Sequence, residues 1–243
     1  MKSGQFRLDG KPIPFTAGQT ILEAAADAGV YIPHLCYRPG FSPHGSCKLC
    51  TVNVDGRPAS ACTARAQEGI EVENDTPALN ADRRALTELL FVEGNHICPS
   101  CQKTGDCALQ AVAYHVGLVD YHFDHFYPSR GVDASHPDVL LDRDRCILCE
   151  LCVRASRDVD GKNVFGIGYR GIASRVIVNA ASGRLGDTDF DAKDVAAHVC
   201  PTGAILIKRH AYETPIGKRI YDLKPIREVA LEEARAQRED EGG

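Results

Sequence analysis

Eleven cysteines occur in this 243-residue chain, and their spacing leaves none over. Cys36, Cys47, Cys50 and Cys62 read C-x10-C-x2-C-x11-C. Cys98, Cys101 and Cys107 follow His96 as H-x-C-x2-C-x5-C. Cys146, Cys149 and Cys152 read C-x2-C-x2-C, and distant Cys200 stands in a Cys-Pro pair. Thiolates are soft, strong donors, and groups of about four at such spacings suit iron–sulfur clusters. An odd total argues against a closed disulfide framework, and Cys-x-x-Cys repeats in a reducing compartment bind metal or do redox work more often than they pair. Three redox centres on one small chain point to a wire for electrons rather than a site for bond-making.

The rest of the composition narrows the class. A net charge of −5 with interspersed signs offers no basic stripe for nucleic acid. Met1–Gln5 lacks the apolar run of a signal peptide, and apolar stretches such as Leu89–Val92 and Ala204–Ile207 are far too short to span a bilayer. A cytoplasmic chain without membrane insertion is expected. Hydrophobic residues make up 44%, but aromatics are only 7% and Trp is absent, so several small cores are expected, stabilised in part by metal ligation.

The fold class that emerges is α+β. Residues 1–77 read as a β-grasp 2Fe–2S ferredoxin domain. Phe6–Leu8 and Ile13–Phe15 flank a hairpin turn at Asp9-Gly10, and Thr20 caps a helix over Ile21–Ala28 that stops at Gly29. Thr51–Val54 and Arg57–Ala61 flank a second turn at Asp55-Gly56, and Ile70–Val72 supplies a further strand. Residues 78–117 read as a helical 4Fe–4S segment with one His and three Cys ligands. A helix capped at Thr76 ends at Gly94, and another runs from Asp106 to about Val116. Residues 118–137 read as an irregular, aromatic, His-rich linker packed on a neighbour. Residues 138–211 read as a bacterial-ferredoxin-like 4Fe–4S module, with a cluster loop becoming a helix over Cys146–Asp158 and glycine-broken strand character over Val164–Val178. Residues 212–243 read as a charged tail whose end, Leu231–Glu241, is expected as a solvated helix or frayed segment.

Each cysteine group has its own chemistry. In the first, the long gap after Cys36 lengthens the loop of a plant-type ferredoxin but keeps the C-x2-C core, which favours 2Fe–2S over a zinc site built from two knuckles. His34 and His44 lie nearby and are expected as loop residues, because four thiols already suffice. The second group is one thiol short of a 4Fe–4S set. His96 is the obvious fourth donor and His115 the fallback; the alternatives are a hydrogen bond from His96 to sulfur or an external ligand. The third group repays counting. A two-cluster ferredoxin repeats C-x2-C-x2-C-x3-C-P, with each fourth Cys serving the other cluster. Forward from Cys152 the fourth position is Ser156. Back from Cys200 the earlier positions are Phe190, Lys193 and Ala196. One repeat kept its triplet and the other its fourth Cys, so Cys146, Cys149, Cys152 and Cys200 make one complete 4Fe–4S site while the other is erased. Gly166, Gly168 and Gly171 spell G-x-G-x-x-G, but a β-branched stretch, Ile172–Asn179, follows where a dinucleotide site needs a helix. No NAD-binding or catalytic residue is therefore assigned, and no flavin or nickel site is visible.

The phrases HICPSCQKTGDCALQ, DRCILCELCVR and CPTGAI resemble the N-terminal part of the large iron–sulfur subunit of respiratory complex I, which continues into a large molybdopterin-type domain. A chain of this length is most similar to the diaphorase small (gamma) subunits of soluble NAD-reducing nickel–iron hydrogenases. One departure stands out: complex I places three residues between the His and the first Cys, whereas His96 has a one-residue gap. The resemblance implies one 2Fe–2S and two 4Fe–4S clusters. It also implies a flavin/NAD-binding partner subunit carrying FMN, and hydrogenase small and large subunits carrying the nickel–iron centre. The chain would relay electrons between them without catalysing either half-reaction. An equivalent relay in an NAD-linked formate dehydrogenase or a complex I-like assembly is the nearest alternative, and a zinc-stapled scaffold or a self-contained NAD oxidoreductase the alternatives of a different class.

Overall fold

The computed structural model describes residues 3–242. Two compact units divide the chain. One holds the described residues up to Thr87, Val112–Leu118 and the stretch from Lys224 on; the other holds Glu88–Ala111 and Val119–Leu223.

The first unit is built on a five-stranded mixed sheet in the order β2-β1-β5-β3-β4. Its strands are β1 (Ser3–Leu8), β2 (Lys11–Thr16), β3 (Thr51–Val54), β4 (Arg57–Ser60) and β5 (Glu71–Glu73). Asp9-Gly10 and Asp55-Gly56 both carry positive φ at the two turn positions, the backbone that lets a two-residue hairpin follow the strand twist. The registers place Phe6 opposite Ile13 and Leu8 beside Val72, with β1 and β5 parallel. Thr20 and Glu23 form a reciprocal capping box at the start of α1 (Ile21–Asp27), as the sequence leads one to expect. Gly29, at φ 76°, closes the helix while Val30 N–H reaches back to Ala25 O. Phe6, Leu8, Ile13, Ile21, Leu22, Val52 and Val72 form the core, and Cys50 and Cys62 are buried in it.

The end of the chain is helical, one of the two expected forms, and differs from expectation in having a packed face. Ile226–Gly242 is a continuous helix, numbered α7 below, that packs on α1 rather than fraying into solvent. Ile226, Ala230, Leu231, Ala234, Gln237 and Arg238 recur at helical spacing as its less exposed face, with Glu232, Glu233, Arg235 and Glu239 outward. Its high charge masks this stripe. Arg238 pairs with Asp27 of α1.

The helix capped by Thr76 is α2 (Pro77–Val92), and α3 spans Ala108–His115. In the second unit β6 (Val132–Asp133), β7 (Val139–Asp142) and β10 (Ile205–Ile207) form an antiparallel sheet, so part of the expected linker is a strand. The cluster loop passes into α4 (Leu151–Arg154) and then a π-helical turn over Ala155–Val159. β8 (Phe165–Gly168) and β9 (Arg175–Val178) form a hairpin. Gly166 and Gly168 thus lie in a strand and Gly171 opens a short 3-10 turn, not a helix. A Cβ on Gly168 would come within 2.7 Å of Ile177 Cγ2, a packing reason for glycine there. Short helices α5 (Val195–His198) and α6 (Ile220–Leu223) complete the unit. Among the described residues no helix is long and apolar enough to cross a membrane.

Candidate metal centres

The first cysteine group gathers within the first unit. Cys36, Cys50 and Cys62 are buried and Cys47 is partly so. Lys48, in the left-handed region at φ 58°, turns the chain between Cys47 and Cys50. Cys50 and Cys62 flank the β3–β4 hairpin, and their sulfurs stand 3.4 Å apart. The Cys47 amide points at Cys36 Sγ from 3.5 Å. Bonds from the Cys47 and Cys62 thiols pull the Cys36 thiol far down, and the Cys62 thiol likewise lowers Cys50, while the same bonds drive Cys47 and Cys62 up. The four sulfurs act on one another at close range, two pushed down and two up, and thiolates in such a group are the donors a 2Fe–2S core uses. Of the two nearby histidines, His34 is held by the Ile32 carbonyl at 2.7 Å and by Tyr31 and Tyr37, and His44 is exposed.

The second group lies in the second unit. Cys98 opens a 3-10 turn, Cys98–Ser100, whose end places Cys101, and Cys107 immediately precedes α3. Burial raises the Cys98 thiol and carries Cys107 up to about 12, with the charge of Cys101 adding to both, so the three sulfurs lie within each other's field. The ring of His96 packs edge-on against Phe91 at 5.5 Å, and its Nε2 is buried with no hydrogen-bond partner. A buried polar atom left without a partner costs about 1–3 kcal/mol, so an orphan of this kind calls for an explanation. Burial, then the charges of Arg145 and Arg130, lowers its pKa to about 4, which leaves a neutral imidazole with a free lone pair. Gly94 makes room for the ring, since a Cβ there would sit 2.5 Å from Nε2. Orphaned nitrogen and glycine cradle fit an imidazole donor to a 4Fe–4S cluster. His115 instead packs on Tyr31 at 5.0 Å, in the first unit.

The third group closes from two ends of its module. Leu148 and Glu150 take left-handed backbone conformations that wind the loop between Cys146 and Cys152. Cys146, Cys149, Cys152 and Cys200 line one cavity with Leu141, Val176 and other apolar residues. The Leu148 amide donates to Cys146 Sγ at 3.4 Å, and Cys200 Sγ lies 3.6 Å from Thr202 Oγ1. Burial drives the Cys152 thiol well up, with the charges of the other three cysteines adding to it, and lifts Cys146 to about 11. Four thiols lining one cavity are a complete ligand set, and a 4Fe–4S core fits it. At two of the positions where a two-cluster ferredoxin repeat carries cysteine, Phe190 packs against Phe165 and His136, and Ser156 Oγ accepts from the Val164 amide.

Among the described residues no group of three or more His, Cys, Asp or Glu closes into a single-ion site. An iron–sulfur cluster asks for something different, because its four ligands are distributed over two or four irons around an inorganic core.

Two arginines were not singled out by spacing. Arg145 Nη1 lies 3.6 Å from Cys101 Sγ, and Arg130 Nη1 lies 3.4 Å from the Cys146 carbonyl. Only the adjacency of Arg145 to Cys146 could have drawn attention to it in the sequence.

Comparison with known proteins matches each group to a family. Residues 2–77 match a 2Fe-2S iron-sulfur cluster binding domain, residues 83–121 the NADH-ubiquinone oxidoreductase-G iron-sulfur binding region, and residues 139–207 a 4Fe-4S single cluster domain. The NAD-reducing hydrogenase HoxS subunit gamma of Cupriavidus necator is 43% identical over 94% of this chain and 97% of its own length. A chain of an NAD+-reducing NiFe-hydrogenase crystal structure in the H2-reduced state is 53% identical, with a TM-score of 0.92 over 95% of this chain and 98% of that one. The NADPH-Fe(3+) oxidoreductase subunit alpha of Geobacter sulfurreducens is 34% identical over 83% of this chain, which spans 24% of that protein.

Proposed function

The chain belongs to the gamma-subunit family of NAD-reducing hydrogenases, and from that premise we propose that it relays electrons between a flavin/NAD(H)-binding subunit and a nickel–iron hydrogenase module. The flow is reversible, hydrogen oxidation with NAD+ reduction or the reverse, and neither half-reaction takes place on this chain. Its place is the cytoplasm, in a hetero-oligomer with the diaphorase subunit and the hydrogenase small and large subunits. FMN, NAD and the nickel–iron centre reside on those partners.

One observation supports the reading: sulfur contacts join the first cysteine group, mutual charge links the second and a shared cavity unites the third, while His96 carries a buried nitrogen without a partner. Cys36, Cys47, Cys50 and Cys62 would hold a 2Fe–2S cluster. His96 with Cys98, Cys101 and Cys107, and Cys146, Cys149 and Cys152 with Cys200, would hold 4Fe–4S clusters. When bound, these groups supply one-electron redox chemistry. The chain's own residues bury them, fix their spacing and set the charge around the sulfurs.

The test is anaerobic purification of the intact assembly. About ten irons per chain are expected, from one 2Fe–2S and two 4Fe–4S clusters, together with co-purifying flavin and nickel–iron subunits. Zinc in place of iron, and no reduced-state EPR signal, would overturn the reading.

A further inference from the structure

The two 4Fe–4S donor sets share a wall. Pro201, next to Cys200, accepts from the Ala108 amide at 2.9 Å, and its carbonyl lies 3.6 Å from Cys107 Sγ. Gly203, two residues on, faces Cys101. A Cβ there would come within 3.1 Å of Cys101 Sγ and 3.3 Å of Arg145 Nη1, closer than side chains comfortably sit. The stretch Cys200–Gly203 therefore offers a ligand to one set and packs against two sulfurs of the other.

Arg145 is the residue that touches both sides of this wall. Its Nη1 lies 3.6 Å from Cys101 Sγ and donates to Gln102 Oε1 at 2.7 Å. Its backbone carbonyl accepts from Thr202 Oγ1 at 2.8 Å, and that hydroxyl lies 3.6 Å from Cys200 Sγ. Its Nε is paired with the Asp142 carboxylate at 2.8 Å, and both side chains are largely buried. The nearby Arg130 is engaged differently: its Nη2 is bonded to Glu93 at 3.0 Å and its Nη1 faces the Cys146 carbonyl at 3.4 Å.

We propose that Arg145 is a potential-setting residue, one whose guanidinium at the Cys101 sulfur favours the reduced state of the cluster held by His96, Cys98, Cys101 and Cys107. The inference rests on the ligand sets assigned above. Reduction takes up one electron from the donor and adds one negative charge to the cluster, and no bond to Arg145 forms or breaks. A cation and a hydrogen bond at a ligand sulfur stabilise that added charge more than the oxidised state, and the more so where water is excluded. Asp142 works against it, since its carboxylate partly cancels the guanidinium. The pair thus supplies two opposed levers on one cluster, and Gly203 is what lets the guanidinium and the sulfur meet.

The test is an EPR-monitored redox titration of the complete assembly, with iron content measured alongside. The relevant signal is the one lost in His96→Ala. Arg145→Gln is expected to move its midpoint to more negative potential, Asp142→Asn to more positive potential, and Arg145→Lys to fall between Arg145→Gln and the unsubstituted protein. The 2Fe–2S midpoint should not move. Opposite shifts from two substitutions in one ion pair cannot come from simple loosening of the fold. Shifts of the same sign, or full iron content with no shift, would overturn the proposal. Should Arg145→Gln fail to hold iron, Asp142→Asn decides alone: a positive shift sustains the inference, and any other result refutes it. An unsubstituted assembly without two 4Fe–4S signals would remove the ligand assignment itself, a failure recognisable before any variant is made.

Discussion

Arg83 donates from Nε to the carbonyl oxygen of Leu49 at 3.1 Å, across 34 positions of sequence. The same guanidinium reaches Asn74 O and Oδ1, both at 2.7 Å, and Thr51 O at 3.0 Å. Only 3% of the residue is exposed. Leu49 and Thr51 flank Cys50, so this arginine fixes the backbone that presents one sulfur of the first set. Arg83→Ala would leave several buried carbonyls without donors, each costing about 1–3 kcal/mol. A loss of at least about 3 kcal/mol in denaturant unfolding is expected, with weakened 2Fe–2S absorbance. Arg83→Lys should recover only part, because an ammonium lacks the fork that serves so many acceptors at once. Full recovery by Lys would show that charge alone suffices.

Glu88 ties down the loop that follows α3. Its carboxylate is nearly inaccessible and accepts from the amides of His122 and Phe123, the latter at 2.7 Å, while the His122 ring approaches at 3.3 Å. Burial alone would raise its pKa, but the two backbone bonds and the His122 ring outweigh it, and the net shift is downward. A carboxyl whose folded pKa lies below its unfolded value adds stability above the unfolded value, near 4.5, and loses it as pH falls through the folded one. Glu88→Gln should therefore differ from the unsubstituted protein at neutral pH and converge with it in acid. Limited proteolysis between Val119 and Tyr127 across pH checks this. Equal cleavage rates at neutral pH would contradict it.

His96→Ala should lose one 4Fe–4S EPR signal and about four irons per chain while the 2Fe–2S signal stays. The reason is chemical: Nε2 is a buried imidazole nitrogen with no hydrogen-bond partner, and alanine removes it. An unchanged spectrum would show that three thiols and an outside ligand suffice.

Cys200→Ala should likewise cost about four irons, this time from the set of Cys146, Cys149 and Cys152. Those residues are far away in sequence, yet line one cavity with Cys200. Iron lost from the His96 set alone would break the split-repeat argument.

What could be read from the sequence follows from what is local. Ligand spacings, the Asp-Gly hairpins and the Thr20–Glu23 capping box are short-range patterns whose chemistry holds wherever they occur. Phe6, Leu8, Ile13 and Val72 could be placed in strands because alternation and turn residues agree. Strands β7 and β10 were harder, since Val139–Asp142 and Ile205–Ile207 pair only once some sixty intervening residues are folded. The helix Ile226–Gly242 hid its packing face among charges. Arg83, Glu88 and Arg145 have little local signature, because a deciding contact of each, Thr51 for Arg83, His122 for Glu88 and Thr202 for Arg145, lies 32 to 57 positions away.

The erased half of the ferredoxin repeat is now core. Phe190, at the position of the lost first cysteine, stacks edge-on against Phe165 at 5.1 Å and meets His136 at 5.9 Å. The His136 ring in turn is within 2.9 Å of the Phe190 carbonyl, and Ala196, at the third lost position, is fully buried. An aromatic side chain fills this space, so its removal should be felt as a cavity and not as a redox defect. Phe190→Ala is expected to cost about 3–5 kcal/mol of stability while the iron content and both 4Fe–4S signals stay as they were. Thermal unfolding and iron analysis on the same preparation check the two halves together. Loss of iron without loss of stability would mean that this site still communicates with a cluster, and that the repeat had been remodelled rather than erased.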